Sequence, residues 1–142
     1  LVLLGIQPLL TQFTNSPPSG EYLAKKELHW REVLINACEQ SYNSWLPQLL
    51  NVKKIEELTF HRQQVIMAQP ASQKVTINSQ NHTMLLIGPE GGFSNSEVKS
   101  LLKKKVQPMS LGPRILRTET AAIAGIAMLS QFYCQYAERH FD

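Results

Sequence analysis

The chain has 142 residues, of which 43% are apolar and 18% charged, with a formal net charge of +3. That length suits one domain spanning residues 1–142 with a proper core, and the composition is that of a soluble globular protein. No apolar run reaches the roughly 20 residues of a membrane span, and the mild positive charge permits a nucleic-acid partner without requiring one.

In chain order, Leu1–Leu4 followed by Gly5 reads as a helix end with its C′ glycine, then a strand over Ile6–Thr11. The chain begins in mid-pattern, as a fragment would, and shows neither the basic flank nor the cleavage site of a signal peptide. Thr14–Gly20, with Pro17 and Pro18, has loop composition. Leu23–Ser41 has helical spacing, with Trp30, Val33, Leu34, Ala37, Cys38 and Ser41 on one face. Cys38 on that face reads as a small core hydrophobe. The other cysteine, Cys134, is far away, and the pair shows no disulfide pattern, which fits a reducing, cytoplasmic setting.

Leu46–Leu50 is expected as a short strand, Lys53–Leu58 as a short charged helix and Gln64–Ala68 as another strand. Val75–Ile77 reads as an edge strand and Asn78–Asn81 as a polar turn. After the strand Thr83–Ile87, Ser94 and Glu97 form an S-x-x-E capping box. The helix they start has Val98, Leu101 and Leu102 on its apolar face, and Lys103–Lys105 close it in keeping with its dipole. Met109–Leu111 is the next strand, and the last helix runs from about Thr118 to Tyr136. Its Ala121–Leu129 segment is apolar on nearly every side. Such a helix is buried all round. One sheet face cannot cover it fully, so a partner subunit is expected there. Strands alternating with helices predict an α/β fold, a mostly parallel sheet with helices on both faces.

Two stretches stand apart. Leu85–Ser94 reads LLIGPEGGFS and Ser110–Ala124 reads SLGPRILRTETAAIA. In each, a short strand breaks at Gly-Pro and the chain resumes as a helix. Gly-rich turns at the carboxyl ends of two strands make a ligand crevice in an open α/β sheet, and bare glycines let a ligand approach the amides. Other chemistries do not fit. His29, His61, His82 and His140 lie alone, so no metal site is expected. There is no G-x-S-x-G elbow, no phosphate-binding P-loop and no dinucleotide fingerprint.

The uninterrupted runs Leu86–Ser94 and Leu111–Ala121 resemble the RsmE-type methyltransferases of the SPOUT superfamily. The resemblance implies a C-terminal trefoil knot whose loops hold S-adenosylmethionine, and methylation of uridine N3 in small-subunit ribosomal RNA. It also implies a homodimer formed through the last helix, and an RNA-binding β-barrel domain that precedes this one in the family and is absent from this chain. The cofactor's adenosine needs an apolar slot with backbone donors and acceptors. Leu86, Ile87, Leu111, Ile115 and Leu116 can supply walls, and Gly88, Gly91, Gly92 and Gly112 bare backbone; Pro89, Arg117 and Thr118 complete the implied contacts. Arg114 and Arg117 are the candidates to stabilise the uridine anion. Glu119 is placed either as a proton acceptor or, preferentially, against the first-turn amides of its helix. Glu90 suits hydrogen bonds to nearby amides.

Away from these runs the likeness thins. Leu3 stands where the family commonly has Glu, Phe13 and Asn43 where it has Arg, and Lys105 where it usually has Gly. A lysine there must take a left-handed conformation, or the helix must stop earlier. The cofactor half of the implied site is intact, and the RNA half has lost two bidentate cations. The alternative is therefore a weakened relative acting as an RNA- or protein-binding module.

Overall fold

The computed structural model describes residues 3–14, 20–70, 75–78 and 82–140. The chain divides into two compact units: one holds Val2–Leu10 with Thr14–Lys54, the other Thr11–Phe13 and everything from Ile55 onward.

In the first unit, β1 (Gly5–Ile6) pairs in parallel with β3 (Gln48–Leu49), and β2 (Leu9–Leu10) with β4 (Lys53–Lys54). The expected strand Ile6–Thr11 is thus split at Gln7 and Pro8. Pro8 has no N–H to give a ladder; its carbonyl takes the Lys53 N–H at 3.1 Å, and the Gln7 side chain holds the Asn51 carbonyl. Gly5 is no helix cap. It lies in β1 without the positive φ of a C′ glycine, and a Cβ there would come within 3.1 Å of the Gln48 carbonyl. Leu1 and Val2 lie outside the described residues.

Helix α1 spans Gly20–Gln40 and buries no residue fully. Leu23, Trp30, Leu34 and Cys38 are half-buried, whereas Val33, Ala37 and Ser41 of the expected face are exposed. The covered stripe is narrower than the apolar pattern. The helix ends with the Asn43 N–H on the Cys38 carbonyl at 2.9 Å and Tyr42 at φ 52°, a left-handed C′ residue.

The second unit opens with a single 3₁₀ turn, Ile55–Glu57, where a short helix Lys53–Leu58 was expected. So short a segment cannot offset helix nucleation, and the turn brings the buried Ile55 and Leu58 onto one side. Strands β5 (Gln64–Ala68), β6 (Thr83–Leu86) and β7 (Gln107–Met109) form a parallel sheet in the order β6-β5-β7. Ile66 is in register with Leu85 on one side and Gln107 on the other. Val65, Ile66 and Met67 are all buried, so both faces of the central strand are covered. Ile66 packs with Met109 and Leu129, and Val75, Ile77, Leu85 and Leu111 surround them. Val75–Ile77 forms no edge strand; its apolar side chains serve this cluster. Residues 71–74 and 79–81, including most of the expected turn Asn78–Asn81, lie outside the described residues.

Helix α2 (Asn95–Lys103) starts with the full capping box of Ser94 and Glu97. Its end resolves the question posed by Lys105, for both expected outcomes hold: the helix stops at Lys103, and Lys105 stands at φ 63°. The Val106 N–H reaches the Leu101 carbonyl at 3.1 Å and the Lys105 N–H the Leu102 carbonyl at 3.0 Å, a Schellman pair with Leu101 and Val106 both buried. Lys104 meanwhile donates from Nζ to the Leu58 carbonyl at 2.9 Å.

Helix α3 (Thr118–His140) outlasts its expected end at Tyr136. It is not buried all round. Ala121, Gly125 and Leu129 form the buried stripe, while Ile123 on the opposite side is 72% exposed. The approach to the sheet is close: a Cβ on Gly125 would stand 2.6 Å from Leu85 Cδ2.

Candidate functional site

The three strands of the second unit run in one direction, so their carboxyl ends come together. The chain leaving β5 (Ala68, Gln69, Pro70), the Gly-rich loop after β6 and the loop after β7 surround one hollow of about 250 Å³, which Thr118 and Ala121 of α3 close. A water takes a share of about 30 Å³, so the space suits a group of many atoms.

Local chemistry shapes both loops. After β6, the Gly92 N–H returns to the Pro89 carbonyl at 2.8 Å with Gly92 at φ 71°, a conformation that favours glycine. A Cβ on Gly91 would sit 3.0 Å from that of Phe13, so this glycine lets the aromatic residue lie on the loop. Phe13 is held there through its neighbour. The buried Glu97 accepts the Gln12 N–H on one oxygen and the Ser94 N–H on the other, each at 2.7 Å. After β7, Gly112 stands at φ 120°, and the Ser110 hydroxyl accepts from its N–H and donates to its carbonyl. One bond joins the two loops: the Thr118 hydroxyl donates to the Gly88 carbonyl at 3.0 Å.

Of the residues expected at a cofactor site, Ile87, Gly88, Pro89, Gly91, Gly92, Leu111, Gly112, Ile115, Leu116 and Thr118 line this hollow, as does Arg114. Leu86 lies in the core at 3% exposure. Arg117 and Glu119 stand beside the hollow in sequence but do not line it, and both are exposed. The Arg117 carbonyl accepts the Ala121 N–H at 2.8 Å at the start of α3.

Sequence reasoning missed the third wall. Gln69 follows β5, donates its N–H to the Met109 carbonyl at 3.0 Å, and lines the hollow. Its Oε1 is shut from solvent and has no hydrogen-bond partner among the described residues. A buried acceptor left so costs about 1–3 kcal/mol, and a ligand bringing an N–H or O–H would remove that cost. An adenosyl group carries both kinds of donor and an apolar ring for the Ile87, Leu111 and Leu116 walls, so the residues present fit it. The signal was available: Gln69–Pro70 ends a correctly expected strand, and ligands bind at strand ends. Among the described residues no group of three His, Cys, Asp or Glu could hold a metal ion, and no helix is long and apolar enough to cross a membrane.

Comparison with known proteins decides the family. The model of a family described as an RNA methyltransferase domain matches residues 3–130. This chain belongs to that RNA methyltransferase family. Within it the chain is of the RsmE type. It is 37% identical over 131 residues to the ribosomal RNA small subunit methyltransferase E of Buchnera aphidicola from Schizaphis graminum, covering 87% of this chain and 53% of that one. Among solved structures it is similar to the Legionella pneumophila protein Lpg2936 in complex with the cofactor SAM, with a TM-score of 0.80, 35% identity, and 90% of this chain and 55% of that one covered. The ribosomal RNA small subunit methyltransferase E of Neisseria gonorrhoeae, bound to S-adenosyl methionine, also superimposes with a TM-score of 0.80, at 29% identity over 92% of this chain and 55% of that one. The chain therefore spans about half the length of the methyltransferases it matches.

Proposed function

We propose that this chain is the catalytic part of an S-adenosylmethionine-dependent methyltransferase acting on N3 of a uridine in small-subunit ribosomal RNA. The observation that carries the reading is the single hollow lined by both Gly-Pro loops and joined by the Thr118–Gly88 bond. The relatives' names and the SAM-bound neighbours supply the substrate and cofactor class. In the same reading the two loops are threaded as a trefoil knot. Two chains pair through the uncovered side of α3, where Ile123 and Ile126 are exposed. The compartment is the cytoplasm.

When bound, S-adenosylmethionine supplies an electrophilic methyl group on a sulfonium. The chain's own task is placement, which can be worth roughly 7–11 kcal/mol when reacting atoms are held in near-attack geometry. Leu111, Leu116 and Ile87 hold the adenosyl portion and exclude water, with bare amides and carbonyls of Gly88, Gly92 and Gly112 around it. To accept the methyl carbon, whose bond to the sulfonium sulfur would break, uridine N3 would first give up its proton to solvent water. The Arg114 guanidinium, on the border of the hollow, favours the anionic ring. Arg117, three residues on and exposed, suits an RNA phosphate. Glu119 lies in the first turn of α3, where its charge complements the helix dipole.

Calorimetric titration with S-adenosylmethionine tests the cofactor site, and methyl transfer to undermodified small-subunit RNA tests the reaction. Absence of binding at millimolar ligand sinks the reading. Binding without transfer leaves the fold in use as an RNA- or protein-binding module, the outcome that Phe13 and Asn43 in place of two family arginines would favour.

A further inference from the structure

We propose that Gln69 is the residue that reads the base of the bound nucleoside, accepting the 6-amino group of adenine on its side-chain oxygen. The inference rests on the reading of the hollow as an adenosyl site and says which chain atom selects the purine. Gln69 leaves the central strand of the sheet, and its backbone is fixed by the bond from its N–H to the Met109 carbonyl at 3.0 Å. The side chain lines the hollow, yet its Oε1 has no partner among the described residues. No donor among the described residues bonds to that oxygen. A carboxamide presents an acceptor beside a donor. The adenine edge presents a 6-amino donor beside a ring-nitrogen acceptor, and glutamine meets that pattern with two parallel bonds. The oxygen is shut from solvent in the free protein; the terminal amide torsion is soft, so rotation about it turns the oxygen into the hollow without moving the backbone.

The ligand pair that isolates this contact is S-adenosylhomocysteine and its 6-deamino analogue, in which hydrogen replaces the amino group. No amide flip restores the lost bond, as it could for a 6-oxo purine. Calorimetry on the whole chain is expected to show the adenosyl ligand binding at least about tenfold tighter than the deamino one, because a buried acceptor stays unsatisfied in the second complex. In Gln69→Leu the two affinities should converge to within about twofold, with the deamino ligand bound no more weakly than by the wild type. Gln69→Met, similar in length and equally without an acceptor amide, gives the same comparison if the leucine variant does not fold. A wild-type ratio near one, or a ratio kept in the folded variant, overturns the role of Gln69 while leaving the adenosyl site standing. Failure of the wild type to bind either ligand at millimolar concentration overturns the adenosyl site, and this inference with it.

Discussion

The Thr118 hydroxyl donates to the Gly88 carbonyl at 3.0 Å, thirty residues away along the chain. The bond ties the first turn of α3 to the loop after β6, and both residues line the same hollow. Thr118→Val keeps the shape and removes the donor. It should lower stability by about 1 kcal/mol, the net worth of a typical hydrogen bond. It should also weaken S-adenosylmethionine several-fold, because the two loops are then free to separate. Urea unfolding and calorimetry read the two effects; loss of stability with unchanged affinity would confine the bond to a structural role.

Glu97 does two jobs with one carboxylate. It closes the capping box of α2 at Ser94 and holds the Gln12 backbone, which sets Phe13 on Gly91. Glu97→Ala leaves two N–H groups without their acceptor, at about 1–3 kcal/mol each if they stay buried. Glu97→Gln keeps one acceptor oxygen but sets its amide N–H against the other donor, so its loss should fall between zero and that of alanine. The order of urea midpoints, wild type above glutamine above alanine, checks this.

What the sequence disclosed follows from which features are local. The Gly-Pro breaks are legible because proline lacks an N–H and glycine tolerates φ 71° at Gly92 and φ 120° at Gly112. The capping box needs only residues three apart. Strand β5 matched its expected bounds because both ends carry polar residues around an apolar run. The split of the first strand at Pro8 carried the same local signal, a missing N–H, which the apolar run around it masked; the failure of Val75–Ile77 to pair depends on neighbours far along the chain. The α1 stripe was misread at Val33 and Ala37 because apolar spacing reports which residues can be covered, and tertiary packing decides which are. Gln69 was missed although its place at a strand end was legible, because its own stretch does not show that two distant loops close over it.

Lys105 occupies a left-handed position at φ 63° between two bonds of the α2 terminus. A side chain there costs about 1 kcal/mol relative to glycine. Lys105→Gly should therefore raise stability by somewhat less than that, since glycine also loses more backbone entropy on folding. Lys105→Val should lower it, because a β-branched residue resists this conformation. Equal urea midpoints for all three would show that the strain is relieved elsewhere.

Ile123 is 72% exposed on the side of α3 that the sheet does not cover. If two chains pair there, Ile123→Glu places two like charges against an apolar seam and should yield a monomer with unchanged secondary structure. Sedimentation at micromolar concentration distinguishes the outcomes. A wild type that is already monomeric leaves the apolar side of α3 unpaired and removes the dimer from the proposal.

The two arginines of the second loop should fail differently. Both are exposed, but Arg114 lines the hollow, so its charge can act where the uridine anion forms, and Arg117 stands outside it. Removing a group that stabilises transition-state charge costs about 10²–10³ in kcat, and Arg114→Ala is expected in that range with the KM for RNA nearly unchanged. Arg117→Ala should mainly raise KM and reduce the slope of log affinity against log salt by about one unit, the signature of one lost phosphate contact. Methyl incorporation measured at several salt concentrations separates the two effects. If Arg117→Ala instead lowers kcat at every salt, the loop after β7 closes further over the substrate, and the Arg117 guanidinium then acts on the uridine itself.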